Sequence, residues 1–359
     1  MDGVKNIEIN NFRGIDHLKI DDFSRVNVFL GQNSSGKSSV LECLLLMMGM
    51  SNPDLPQNIN SIRSRNYSTF ADLGYMFHNY DFKVKPEINS ELFDDTKRHL
   101  ALEMTYAFDE KSQASLQNGQ IPTSEKKTFL NTLKMNFDVE SNQQRNSFEC
   151  SITVSQQGLI SNKKLAEGYL EKNSVAFLSA DLSAGNPAND LVELAKRKRK
   201  DVVAEYLKSF DSHVTAVEIL NNVAYIGVEG IDQLLAVNMM GDGMRRFLNI
   251  VAAAANPTNN IILIDEIDNG LHYSAYKKLW EAIFALATST NKQVFVTTHS
   301  KETLYFLNEM LEEKADYQQE MRLYTIENTK LKGHQAYKLT YNGLHEACTN
   351  DIELRSIVL

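Results

Sequence analysis

Polar and apolar positions alternate from the start of the chain. Val4, Ile7 and Ile9 sit among polar residues, Asn11-Phe12-Arg13-Gly14 interrupts, and Leu18 and Ile20 resume the alternation. A solid apolar run, Val26–Leu30, then stops at Gly31. Period-two alternation and short apolar runs bounded by turn residues predict three short strands. Gly31–Ser39 reads as a loop, and Ser38–Met48 is long and apolar enough for a buried helix. Further on, His99–Phe108, Leu133–Val139, Phe148–Val154 and Val175–Ser179 have strand character, separated by polar stretches such as Asp109–Lys126. Asp190–Phe210 predicts one helix, with Leu191, Leu194, Val202, Val203, Tyr206 and Leu207 apolar, and Val214–Leu220, Val223–Val228 and Leu234–Val237 predict strands. The last third alternates regularly. Helices Asp242–Ala255, Ser274–Ala287 and Lys301–Glu313 are each followed by a strand: Ile261–Ile264, Val294–Val296 and Met321–Ile326. Such alternation implies a parallel sheet and an α/β fold. Tyr276, Leu279 and Trp280 are spaced as a core stripe on their helix. There is no internal repeat and no sustained heptad pattern.

Chemistry is concentrated at three points on this frame. Gly31-Gln32-Asn33-Ser34-Ser35-Gly36-Lys37-Ser38 fits G-x-x-x-x-G-K-[ST], and it lies between a predicted strand and a predicted helix, the context that gives the motif meaning. Backbone amides of Gly31, Asn33, Ser34, Ser35, Gly36 and Ser39 are expected to close around phosphates, aided by the helix N-terminus. Lys37 is expected to reach the β- and γ-phosphates, and Ser38 to ligate Mg2+. The buried-strand pattern Ile261–Ile264 ends in Asp265-Glu266, at the sheet edge where ligands gather. Asp265 is placed to support magnesium and Glu266 to orient the attacking water. A second core strand, Val294–Val296, runs into Thr297-Thr298-His299-Ser300, and His299 is a candidate contact to the γ-phosphate or that water. The loop grips phosphates and not the base, so GTP stays open beside ATP.

Composition narrows the rest. Lys and Arg number 37 against 46 Asp and Glu, a net charge of -9, which argues against a whole-surface nucleic-acid binder. Three widely spaced cysteines, Cys43, Cys150 and Cys348, argue against a disulfide framework and for a cytoplasmic protein. The longest apolar run, Val40–Met50, is broken by Glu42 and is too short to span a bilayer. No His or Cys spacing fits a metal site.

Four segments together resemble an ATP-binding-cassette-type ATPase of the overcoming-lysogenization-defect (OLD), RecF and SMC-like group, closest to ATP-binding proteins of bacterial antiviral systems. They are Ile9-Asn10-Asn11-Phe12-Arg13-Gly14-Ile15, the phosphate loop, Asp265-Glu266-Ile267-Asp268-Asn269-Gly270-Leu271-His272, and Thr297-Thr298-His299-Ser300. The resemblance implies a P-loop NTPase with an ABC/SMC-head-like core, mostly parallel sheet plus an antiparallel β subdomain. Residues 1–80 and 211–359 would form that core, and 81–210 an inserted helical and strand lobe. It also implies a signature segment that caps a second subunit's nucleotide. The candidate is Met240-Gly241-Asp242-Gly243-Met244-Arg245-Arg246, where Gly241 replaces the usual serine and backbone amides of Gly241, Asp242 and Gly243 would act instead. ATP would then be sandwiched in a homodimer. No glutamine stands out for the family's glutamine loop; Phe70–Asp81 lies where such a contact would arise. His272 is open between capping the next helix and a functional role. OLD-like proteins often carry a toprim nuclease, for which the segment after His299 is too short and lacks a D-x-D pair. The expected function is a sensor or scaffold ATPase of a two-component antiviral system with a separate effector. The alternative is a RecF-like repair ATPase contacting DNA through Lys196-Arg197-Lys198-Arg199-Lys200, a run whose plainer reading is a solvated helix face.

Overall fold

The computed structural model describes residues 3–63, 73–108, 129–155, 160–181 and 187–356. The strands in chain order are β1 (Val4–Phe12), β2 (Ile15–Ile20), β3 (Val26–Leu30), β4 (Glu87–Leu92), β5 (Lys97–Phe108), β6 (Phe129–Ser141), β7 (Gln144–Ser155), β8 (Ile160–Lys164), β9 (Val175–Leu178), β10 (Val214–Leu220), β11 (Val223–Val228), β12 (Leu235–Ala236), β13 (Ile261–Ile264), β14 (Gln293–Thr298), β15 (Met321–Thr329) and β16 (Gly333–Leu339). The helices are α1 (Lys37–Met48), α2 (Leu55–Arg63), α3 (Ala188–Lys196), α4 (Lys200–Phe210), α5 (Asp242–Ala255), α6 (Tyr276–Ser289), α7 (Lys301–Glu313) and α8 (Tyr341–Thr349). They fall into two compact units, one of residues 1–5, 20–41 and 173–359, the other of 6–19 and 42–172. The division comes at 172/173, whereas the sequence suggested a lobe ending at 210. No helix among the described residues is long and apolar enough to cross a membrane.

The first unit holds a six-stranded sheet in the order β16-β15-β3-β14-β13-β9. Its β15–β3, β3–β14, β14–β13 and β13–β9 pairs are parallel, and only the edge pair β15–β16 is antiparallel. The strand and helix alternation of the last third therefore gives the parallel sheet it predicts. The central strands β3 and β13 are buried at every position, as a sheet covered on both faces requires. The Tyr276, Leu279 and Trp280 stripe is core, and the Trp280 indole N–H donates to the Thr303 carbonyl at 3.0 Å. A small antiparallel sheet, β10-β11-β12, belongs to the same unit.

The predicted helix Asp190–Phe210 is two helices. Lys198 takes a left-handed φ of 57°, and the amides of Arg197 and Arg199 turn back to Leu194. Five consecutive cations would repel one another at i,i+3 and i,i+4 spacing in a continuous helix, and the turn relieves that. The apolar faces on either side stay buried, through Leu191 and Leu194 and through Val203 and Leu207.

Lys292 supplies a pH-dependent contribution. It is 1% exposed, and its ammonium donates to the carbonyls of Ala254 (2.6 Å) and Asn256, closing the end of α5. Burial pushes its pKa down to about 8, with Asp190 opposing and Arg199 adding to the fall. Between about pH 8 and the ordinary 10.5 the unfolded chain then binds the extra proton, so folding stability should rise with pH across that window. The rise attributable to this group is on the order of 3 kcal/mol. Urea midpoints at pH 7.5, 9 and 10 should show the wild type gaining on Lys292→Met; parallel curves would refute the assignment.

The second unit carries an antiparallel sheet in the order β2-β1-β4-β5-β6-β7-β8. Its β4 to β8 pairs are all antiparallel, and its inner face is apolar, including Leu100, Leu102, Leu133, Met135, Phe137 and Ile152. Glu42, the acid interrupting the apolar run, is buried between two cations: Arg13 at 2.5 Å and Arg63. Arg13 also donates to Asn60 at 2.8 Å. Arg13 of the Asn-Phe-Arg segment is thereby fixed by carboxylate and amide together.

Candidate active site

The parallel register brings the predicted chemistry to one edge of the first unit's sheet. Thr298 pairs with Leu30, and Ile264 with Val296, so Gly31, Asp265 and His299 all follow carboxyl ends of neighbouring strands. The phosphate loop needs its glycines there. Gly31 has φ 154°, and a Cβ on it would lie 2.3 Å from the Ile326 carbonyl oxygen and 2.6 Å from Ser35 Oγ. Gly36 has φ 99°, a conformation that side chains rarely adopt. Ser34 is also left-handed, at φ 64°.

Lys37 opens α1 and is buried. Its ammonium donates to the carbonyls of Gly31 and Gln32, both at 2.8 Å, and so spans the loop that a phosphate chain would enter. Burial lowers its pKa, and Glu266, then Asp265, then Asp268 oppose the fall. One turn of hydrogen bonds joins the next residues. Ser38 Oγ donates to Asp265 Oδ1 at 2.9 Å, Thr297 Oγ1 donates to the same oxygen at 2.6 Å, and the Glu266 amide donates to Thr297 Oγ1 at 2.8 Å. Thr298 Oγ1 donates to Asp268 at 2.6 Å. Glu266 stands at φ 49°, a strained setting for a residue with a side chain.

Other sequence candidates lie elsewhere or have simpler roles. Gly241 precedes α5 with an unstrained φ of -62°, and nothing lies within 4 Å of the Cβ it lacks. Asp242 is exposed and pairs with Arg245 at 3.0 Å. The atoms nearest a Cβ at Gly243 belong to Gly270, Leu271 and Phe210, not to the phosphate loop. His299 is exposed, and Arg355 donates to its carbonyl at 3.4 Å. His272 caps the turn Tyr273–Ala275, accepting from the Ser274 amide. Of the Phe70–Asp81 segment, 70–72 lies outside the described residues; His78 bonds the Arg13 carbonyl at 2.8 Å. In the basic run, Lys196 pairs with Glu193 and Lys200 with Glu218.

Two residues of the site had no role assigned from sequence. Thr297 joins the two Walker-type acids and was legible only as a strand end. Arg246 is 2% exposed and donates to the carbonyls of Ser179, Asp265 and Glu266. Thr297→Val should leave the Glu266 amide unpaired, at a cost of about 1–3 kcal/mol. A drop in unfolding free energy of that size, with a fall in nucleotide turnover, is the expected result. Unchanged turnover at saturating nucleotide would count against it.

A phosphate loop at a parallel sheet edge, with an acid-tipped strand one place removed, defines a P-loop ATPase fold. The fold matches that of the Smc head domain from Pyrococcus furiosus solved with an extended coiled coil, bound to the C-terminal domain of ScpA. The TM-score is 0.51 at 10% identity, covering 98% of this chain and 100% of that one. The chain belongs to the AAA domain family described as putative AbiEii toxin, type IV toxin–antitoxin system, whose model matches residues 26–304. An ATP/GTP phosphatase of Helicobacter pylori is 26% identical over 348 residues, 90% of this chain and 92% of its own length. A RecF DNA replication and repair protein of Lactococcus lactis subsp. cremoris is 46% identical over 41 residues, 11% of each chain. The chain is thus of the AAA ATPase class.

Proposed function

We propose that the chain binds ATP with Mg2+ and hydrolyses it within a homodimer, as the sensor or scaffold subunit of a bacterial antiviral system that controls a separate effector. The observation that carries the hydrolytic reading is the chain Ser38–Asp265–Thr297–Glu266, which ties the phosphate loop to the acid placed for the water. Ser38 and Asp265 offer an all-oxygen pair 2.9 Å apart. Among the described residues no cluster of three or more His, Cys, Asp or Glu surrounds them. That donor set fits magnesium, which takes few carboxylates and fills its shell with phosphate and water oxygens. Bound there, the ion would neutralise charge on the β- and γ-phosphates.

The chain's own residues divide the remaining work. Lys37 holds the phosphates, Glu266 orients the attacking water and accepts its proton, and His299, which follows β14 at the same sheet edge, would contact the γ-phosphate or that water. Gly241 precedes α5 and Asp242 and Gly243 open it, with Gly241 and Asp242 exposed, and their amides would cap the nucleotide of a second copy. The family description names a toxin–antitoxin component and supports a paired gene product. The RecF-like reading rests on the short match to that protein; the ion pairs of Lys196 and Lys200 and the acidic balance weigh against it.

Glu266→Gln, purified from its native host in ATP and magnesium, tests the reading. A stoichiometric second protein is the expected result. Duplex DNA without a protein partner would overturn the effector reading and favour repair.

A further inference from the structure

The second turn of α5 reaches the backbone of the two acids directly. Arg246 lies three residues beyond Gly243, and its guanidinium is spent on main-chain oxygens: Nη1 on Ser179 (2.6 Å), Nη2 on Asp265 (2.5 Å) and Glu266 (2.9 Å). Its Nε has no hydrogen-bond partner and is buried. A buried cation is a costly way to fill a core position that Leu or Met could occupy, so its use here calls for a function of the charge and the fork. Glu266 supplies one. Its left-handed backbone is held on both sides, the amide by Thr297 Oγ1 and the carbonyl by Arg246. Strain of this kind persists only where surrounding bonds over-determine it. One of the two bonds is anchored in β14, the other in the helix that begins at the signature segment.

We propose that Arg246 is a positioning residue that couples the Gly241–Gly243 segment to Glu266 of the same chain. A phosphate docking on the first amides of α5 shifts the turn that carries Arg246. The guanidinium then resets the Asp265 and Glu266 carbonyls, and with them the direction of the Glu266 side chain. In a dimer each chain's Glu266 is set only when its own signature segment is engaged by the other chain's nucleotide, so the two sites fire together. The inference rests on the dimer reading above and adds the route by which one site senses the other. Coupling of this kind is reciprocal and limited to the preference of the nucleotide for the engaged state.

Arg246→Lys and Arg246→Met in the full chain test it. Lysine keeps a charge and loses the planar fork; methionine keeps the bulk alone. The expected result for both is affinity for a fluorescent ATP analogue within about twofold of wild type, kcat down at least about tenfold, and a Hill coefficient for ATP falling to one. Lysine, which keeps the charge without the fork, should not restore cooperativity, whichever variant has the higher unfolding midpoint. Wild-type kcat and cooperativity in both variants, or losses that track only the unfolded fraction, would overturn the proposal. A wild type that forms no ATP-dependent dimer removes the dimer reading first, and this coupling with it. A dimer that forms normally with unaltered Arg246→Lys kinetics removes the coupling alone. Should neither variant fold, hydrogen exchange on Glu266→Gln decides. ATP should protect 241–247 and 264–268 together, and protection of 241–247 alone would overturn the coupling.

Discussion

Glu266→Gln should lower kcat for ATP hydrolysis by roughly 10²- to 10⁴-fold while leaving ATP bound. The amide keeps the size and polarity of the side chain and cannot accept the proton of the attacking water. The bonds holding the site are made by the Glu266 main chain and by Asp265, so they survive the change. The variant should also accumulate as an ATP-dependent dimer, because the step that opens it is blocked. Single-turnover hydrolysis, with sedimentation in the presence and absence of ATP, measures both effects. Turnover within a few-fold of wild type would remove Glu266 from the role assigned to it.

Lys37→Ala should instead weaken binding itself. The ammonium is the buried cation at the loop, with three carboxylates, Glu266, Asp265 and Asp268, acting on it electrostatically. Removing it leaves those acids uncompensated beside the incoming phosphates. A loss of about 2–5 kcal/mol is expected, or roughly 30- to 5,000-fold in ATP affinity. Calorimetric titration with ATP, beside an unfolding curve to show that the fold is intact, would measure it. Retained affinity would mean that the loop amides alone hold the nucleotide. The contrast between the two variants, one that binds and stalls and one that binds weakly, separates chemistry from recognition.

The phosphate loop and the Asp265-Glu266 pair were legible because each depends on a short fixed spacing between a buried strand and a turn. Helices α5 and α7 and strand β13 were legible to the residue, since apolar periodicity and the caps agree. What was missed has common causes. β4, β8 and β16 are largely polar or half-buried, so alternation in them is faint. The break at Lys198 arises from charge crowding, with no Gly or Pro to mark it. Arg246 had no role in sequence beyond closing the candidate signature segment, because its partners, the carbonyls of Ser179, Asp265 and Glu266, are far from it along the chain. Glu42 looked like an interruption of an apolar run, and its partners Arg13 and Arg63 are likewise distant in sequence.

The two glycines assigned to the nucleotide in this proposal differ in what they permit. At Gly31 any side chain would strike the Ile326 carbonyl, so that position is closed to evolutionary exploration. At Gly241 the backbone is ordinary and the space beside it is open. A hydroxyl-bearing residue could enter there without strain, and serine is among the best residues to begin a helix. Fit therefore does not exclude a hydroxyl at this position. In the dimer proposed above, serine at Gly241 would add a hydroxyl beside the phosphate without a backbone cost.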